Sequence, residues 1–301
     1  MAQLERAERA AARQNAIEEL KSLEESLVTL HHEKFLPATS LKVQLPEPVD
    51  QAAIRNEIQK SLLSTIGRFK FSQRRAAKAR AAEMAIEEAS RVEAENTDLY
   101  HRYCHEAQQR WERLLDHDTE TVLETLEEAF ADNASEATCV DVGIEDGVRY
   151  ATVVIVFGSA DSIPERTPSL TPAGKTTTKK RNKSDRNSLY VAALGSTVLA
   201  AVREGFAVAP SVDEFRIVVL RKDLNAPTPK DFVAPIYVAT FSRSAADGLK
   251  WQTIDPTAGL LSGQDAQFIR KGVAGDVVAI DLTEHPELVE LVETFRSLVL
   301  S

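Results

Sequence analysis

Between Gln51 and Leu115 the chain carries an apolar seam at helical spacing that is too long for one globule to shelter. Ile54, Ile58, Leu62, Ile66 and Phe69 step along it, followed by Ile86, Ala89, Tyr100, Tyr103, Ala107, Trp111 and Leu114. An unbroken helix over those residues would reach roughly 100 Å. A seam so narrow asks for a partner helix, either residues 4–34 folding back or a second copy of the chain. Ile54, Ile58, Leu62, Ile66, Tyr103 and Trp111 are assigned to that oligomer seam. Gly67 and the unpatterned run from Phe69 to Ser72 predict a kink or break within it.

Residues 4–34 show the same spacing in Leu4, Ala7, Ala11, Ile17, Leu20, Leu23, Leu27 and Leu30, which predicts an amphipathic helix ended by Pro37. Pro46 and Pro48 then hold residues 35–50 as an extended crossover, and Asp50 is placed to cap the next helix. Residues 1–116 are accordingly expected to form a helical arm, hairpin or coiled coil. Residues 117–301 are expected to form an α+β head.

In the head, Asp118 caps a helix from Thr119 to Asp132. Thr138–Val142 and Tyr150–Phe157 read as strands joined by a turn at Glu145-Asp146-Gly147. Ser159–Asn187 reads as a long polar loop, and Asn187–Val208 as a buried, charge-poor helix. Phe215–Leu220, Val233–Phe241 and Val277–Leu282 complete a mixed or antiparallel sheet of about five strands, with a loop holding Pro227 and Pro229 between the first two. An amphipathic helix over Pro286–Leu298 follows, and the whole is of α+β class.

Charge divides the chain a second way. Its net charge is −10, yet Arg68–Arg80 holds six cations and no acid, and Gly174–Arg186 holds six against Asp185 alone. These segments carry +6 and +5, leaving −21 elsewhere. Lys175, Lys179, Lys180, Arg181, Lys183 and Arg186, with Arg74 and Arg75, are the candidate nucleic-acid or anion contacts. The helical cations spread around their cylinder, which suits a diffuse phosphate contact better than base reading. Pairing with acids of the same molecule is the competing explanation.

No run of about 18 apolar residues is evident and the first residues lack a secretory core, so the expected compartment is the cytoplasm, with no membrane partner. Cys104 and Cys139 are too few for a disulfide framework. Thr171–Thr176 ends like a phosphate loop, but Ser169 stands where that motif needs glycine. Asp98, His101 and His105 share a helical face at metal-chelating spacing, although Arg102 replaces the glutamate a hydrolytic zinc helix requires. Asp141 and Glu145 flank a hairpin as nuclease acids do, without a lysine in Val153-Val154-Ile155-Val156. No Gly-x-Ser-x-Gly elbow occurs. No cofactor is expected.

Three blocks carry a resemblance: Leu114–Asp118 with Glu128–Asn133, Pro164-Glu165-Arg166 with Leu170–Gly174, and Val202–Pro210. Over residues 85–245 the chain resembles a family of bacterial proteins with a helical N-terminal half and a small α+β C-terminal half. No activity or site residue is established for that family, so the resemblance implies the architecture alone. The expected function is that of a non-enzymatic scaffold or interaction protein that self-associates through its arm. Nucleic-acid binding or processing through the 175–186 loop is the alternative, and a partner protein for the head is part of the first reading.

Overall fold

The computed structural model describes residues 2–131, 136–172, 176–223 and 233–300. They form two compact units, one of residues 1–38 with 114–301 and the other of Thr39–Arg113. The expected arm is therefore divided: its first helix belongs with the sheet, not with the helices that follow it.

The unit Thr39–Arg113 is helical. Helix α2 (Gln51–Ser64) begins where expected, because the Asp50 carboxylate accepts from Ala52 N at 2.9 Å and Ala53 N at 3.0 Å. The chain breaks over residues 65–70, around Gly67, and resumes as α3 (Phe71–Leu115), 45 residues long. In α3, Ala77, Ala81, Ala85 and Ala89 recur every fourth residue and are buried. Ile54, Ile58, Leu62, Ile66 and Trp111 are half-buried. Tyr103 is 56 % exposed, beside a half-buried face that passes through Asn96, Tyr100, Cys104 and Ala107.

The other unit is built on a mixed five-stranded sheet. Helix α1 (Ala2–Thr29) precedes it, and helix α4 (Thr119–Ala131) leads in, capped by Asp118, which accepts from Thr121 N at 3.0 Å. Strands β1 (Glu136–Glu145) and β2 (Val148–Gly158) form a hairpin whose Asp146 and Gly147 have φ of 50° and 84°, the left-handed pair that a two-residue turn requires. A small hairpin, β3 (Arg166–Leu170) with β4 (Thr176–Lys180), occupies the stretch expected to be loop. Helix α5 (Lys183–Val208) then starts four residues earlier than expected, capped by Asn182. It crosses to β5 (Glu214–Lys222), parallel to β2, and β6 (Val233–Ser242) returns antiparallel.

Two short helices, α6 (Arg243–Asp247) and α7 (Pro256–Leu260), precede the fifth strand, β7 (Gln264–Gln267). Val277–Leu282 is not that strand. Only Asp276–Val277 (β9) is extended in a pair, with Arg270–Lys271 (β8), while Ile280 N donates to Pro235 O at 2.8 Å. Pro235 falls where the β5–β6 register shifts, the bulge position at which a sheet tolerates proline. Helix α8 (Glu287–Leu300) closes the chain.

Alternation along β5 separates the layers. Phe215, Ile217 and Val219 face α5, where the Phe206 and Phe215 rings meet edge-on at 4.8 Å. Val218 and Leu220 point the other way and pack with Val154, Val233, Leu288 and Val292 beneath α8. Helix α5 is long and apolar enough to cross a membrane by length and composition, contrary to the expectation that no such run exists. In this fold it is a core helix, with 72 % of that apolar window buried.

Candidate functional site

Helix α1 lies on α5 and on the β3–β4 hairpin, where it meets one cation of the basic segment. Arg181 Nη2 pairs with Glu24 Oε1 at 2.6 Å, the two side chains only 10 % and 18 % exposed. Thr167 Oγ1 donates to the same carboxylate at 3.2 Å. Arg13 donates to Thr177 Oγ1 at 2.8 Å, and Thr176 Oγ1 to Gln14 Oε1 at 2.8 Å. Lys183 pairs with Asp276 at 2.7 Å and Arg186 with Asp161 at 3.1 Å. Lys179 and Lys180 are exposed, and Lys175 lies outside the described residues. Three of the loop's cations thus answer acids of the same molecule. Thr176 opens a strand, so the phosphate-loop-like text lacks its helix.

Asp276 and Asp161, the partners of Lys183 and Arg186, line a polar pocket of about 180 Å³ at the carboxyl ends of β2 and β5, where α/β folds commonly place ligands. Asn187, Tyr190, Arg221, Asp161 and Asp276 line it. Lys183 and Asn187 hold the Asp276 carboxyl below its ordinary range. Acids and cations largely answer one another here, which leaves little net charge to attract an ion.

The larger cavity, about 640 Å³, lies between the open face of the sheet and α8. A polar row, Asp141, Thr152, Arg216 and Thr240, runs across four adjacent strands at its floor, set by the register Asp141↔Thr152↔Arg216↔Thr240. Leu288, Leu291 and Phe295 of α8 face it with Glu290 and Thr294. Arg216 pairs with Glu145 and lies 3.8 Å from the centre of the Tyr150 ring. Tyr150 Oη donates to Asp141 Oδ2 at 3.0 Å, a bond that raises the phenol above its ordinary value and keeps it a donor. The arrangement offers a ligand an apolar wall and a polar floor whose charges are already paired, and it suits binding rather than proton transfer. Asp141 and Glu145 were visible as acids flanking a hairpin. Arg216 was the missed signal, a lone cation inside the apolar run Phe215–Leu220.

The other candidates separate. Asp98, His101 and His105 stand on an exposed face of α3, and no group of three or more metal-ligating side chains gathers among the described residues. Arg75 is exposed, whereas Arg74 Nη1 donates to Ile66 O at 3.2 Å across the break between α2 and α3. Burial pushes the Cys139 thiol up to about 12, which fits inert packing.

Two buried histidines escaped the sequence reading. His117, with φ 61°, closes α3 in the left-handed conformation and bonds Gly143 O at 2.9 Å and Ser211 Oγ at 3.2 Å. His31 sits 3.0 Å from Ser196 Oγ through Nδ1 and 3.3 Å from Ile254 O through Nε2. A carbonyl only accepts, so Nε2 carries a proton, and in the neutral ring Nδ1 accepts from the Ser196 hydroxyl. Burial first, then His32, holds the His31 pKa below the ordinary 6.5. The unfolded chain therefore takes up the proton at a pH where the folded one does not. The contribution is complete above about 6.5 and is lost as pH falls toward the folded value. His31→Gln is expected to lower the urea midpoint more at pH 7.5 than at pH 5.5; an equal loss at both would show that His31 protonation is not linked to folding.

No family model, curated protein or solved structure matches this chain.

Proposed function

We propose that the protein is a non-enzymatic cytoplasmic scaffold or interaction protein that self-associates through the helices of Thr39–Arg113. One observation carries this reading: from Ser90 to Arg113 no residue of α3 is buried, although Val92, Tyr100, Ala107 and Trp111 recur along one face and Leu99 and Tyr103 lie exposed beside it. A helix draws most of its stability from the face it buries, and a second copy laid along this face as a coiled coil or paired hairpin supplies what one chain lacks. The cavity beneath α8 is then the head's surface for a partner.

The alternative, nucleic-acid binding through Lys175–Arg186, loses support from the pairing of Arg181, Lys183 and Arg186 with Glu24, Asp276 and Asp161. Tyr100→Asp with Trp111→Asp is expected to weaken self-association by at least about 100-fold, read by light scattering across a concentration series. An unchanged mass at every concentration would remove this face from the interface.

A further inference from the structure

The turn between α2 and α3 holds two phenylalanines almost wholly in water, Phe69 at 89 % and Phe71 at 76 % exposure. Its backbone is fixed: Ile66 N donates to Leu63 O at 3.3 Å, Lys70 N to Gly67 O at 3.1 Å and Arg74 N to Lys70 O at 3.0 Å. The rings are therefore presented by a hydrogen-bonded turn. Around them no acid occurs between Glu57 and Glu83, while Lys60, Arg68, Lys70, Arg74, Arg75, Lys78 and Arg80 all fall in that stretch. Every one of these cations except Arg74 is exposed. At spacings of four and three, Phe71, Arg75 and Lys78 share one face of the first turns of α3, away from buried Ala77.

We propose that this turn docks on the surface of an anionic lipid bilayer, with both phenyl rings at the headgroup–acyl boundary and the cations on lipid phosphates and carboxylates. The sign of the charge selects an anionic partner, because +7 here leaves −17 for the rest of a chain whose net charge is −10. The exposed rings select a partner with an apolar layer directly beneath its charged surface. A nucleic acid would instead need a basic groove tracking its backbone beside the stacked aromatics. The absence of a membrane partner was expected for want of a spanning segment, and surface docking needs none.

The test is co-sedimentation of the full chain with vesicles of phosphatidylcholine alone or with about 30 % phosphatidylserine. Binding is expected only to the anionic vesicles and is expected to weaken in high salt. Phe69→Ser with Phe71→Ser should weaken it by about 20-fold or more, and Arg75→Gln with Lys78→Gln by about 5-fold or more. Failure to bind anionic vesicles at low salt overturns the proposal, as does binding unchanged in both variants. Retention by a single-stranded oligonucleotide, lost on the same phenylalanine substitutions and without vesicle binding, overturns it in favour of nucleic acid. The mass of the Phe69→Ser, Phe71→Ser variant in solution should equal that of the parent. A fall in mass would assign the rings to self-association and overturn lipid docking.

Discussion

Gly195→Ala is expected to destabilise the sheet-bearing unit by about 3 kcal/mol or more, lowering its Tm by roughly 6–12 °C. Gly195 lies in the middle of α5, where a Cβ would stand 2.2 Å from Pro256 O and 2.7 Å from Pro256 C. Both are backbone atoms at the start of α7, so no side-chain rotation relieves the clash and the short helix must move. Its move would disturb the reverse contact, in which Gly259 faces Leu199. Gly67→Ala is the matched control, since nothing lies within 4 Å of its added methyl. Thermal unfolding followed at Trp251 in the sheet-bearing unit should show a large loss for the first variant and almost none for the second. Equal melting temperatures would mean that α5 and α7 do not approach this closely.

Removal of the Arg243 side chain has the second large effect. Its guanidinium donates to three carbonyls, Val212 O at 2.9 Å, Phe206 O at 3.0 Å and Ala209 O at 2.7 Å, and lies 4.7 Å from the centre of the Phe206 ring. These carbonyls belong to the end of α5 and the turn into β5, so one side chain fastens the crossover between the parallel strands. Arg243→Ala removes a donor from all three, leaving Ala209 O with Val212 N at 3.2 Å, at an expected cost of about 3 kcal/mol in denaturant unfolding. Arg243→Lys should restore less than half, because a single ammonium cannot reproduce a planar fork. Full rescue by lysine would reduce the residue's role to its charge.

What could be read from the residues was local. Asp50 as a cap, the Asp146-Gly147 turn and charge-poor α5 each depend on a few neighbouring side chains, and each was legible. The β3–β4 hairpin was not, because its Thr, Pro and Lys residues show no apolar alternation. What fixes it comes from α1: Arg13, Gln14 and Glu24 reach Thr177, Thr176 and Thr167 across more than 140 residues of chain. The periodicity of α1 gave a helix, with Ile17 buried and Leu23 48 % exposed, yet periodicity does not name the surface that a face will meet. Strand β7 was missed for a related reason. Gln264-Asp265-Ala266-Gln267 has no strand preference of its own and pairs only because β6 offers an open edge at Val238 and Thr240.

The candidate site was half legible. Asp141 and Glu145 stood out as acids beside a hairpin, but the row they join is made by register across β1, β2, β5 and β6. The basic loop stood out by composition, which records cations and says nothing of Glu24, Asp161 and Asp276 arriving from other elements.

Self-association through Thr39–Arg113 is tested most directly by sedimentation equilibrium of the unmodified chain at micromolar concentration. The expected result is a whole-number multiple of 33.1 kDa that declines toward the single-chain mass on dilution. A constant 33.1 kDa throughout would contradict it.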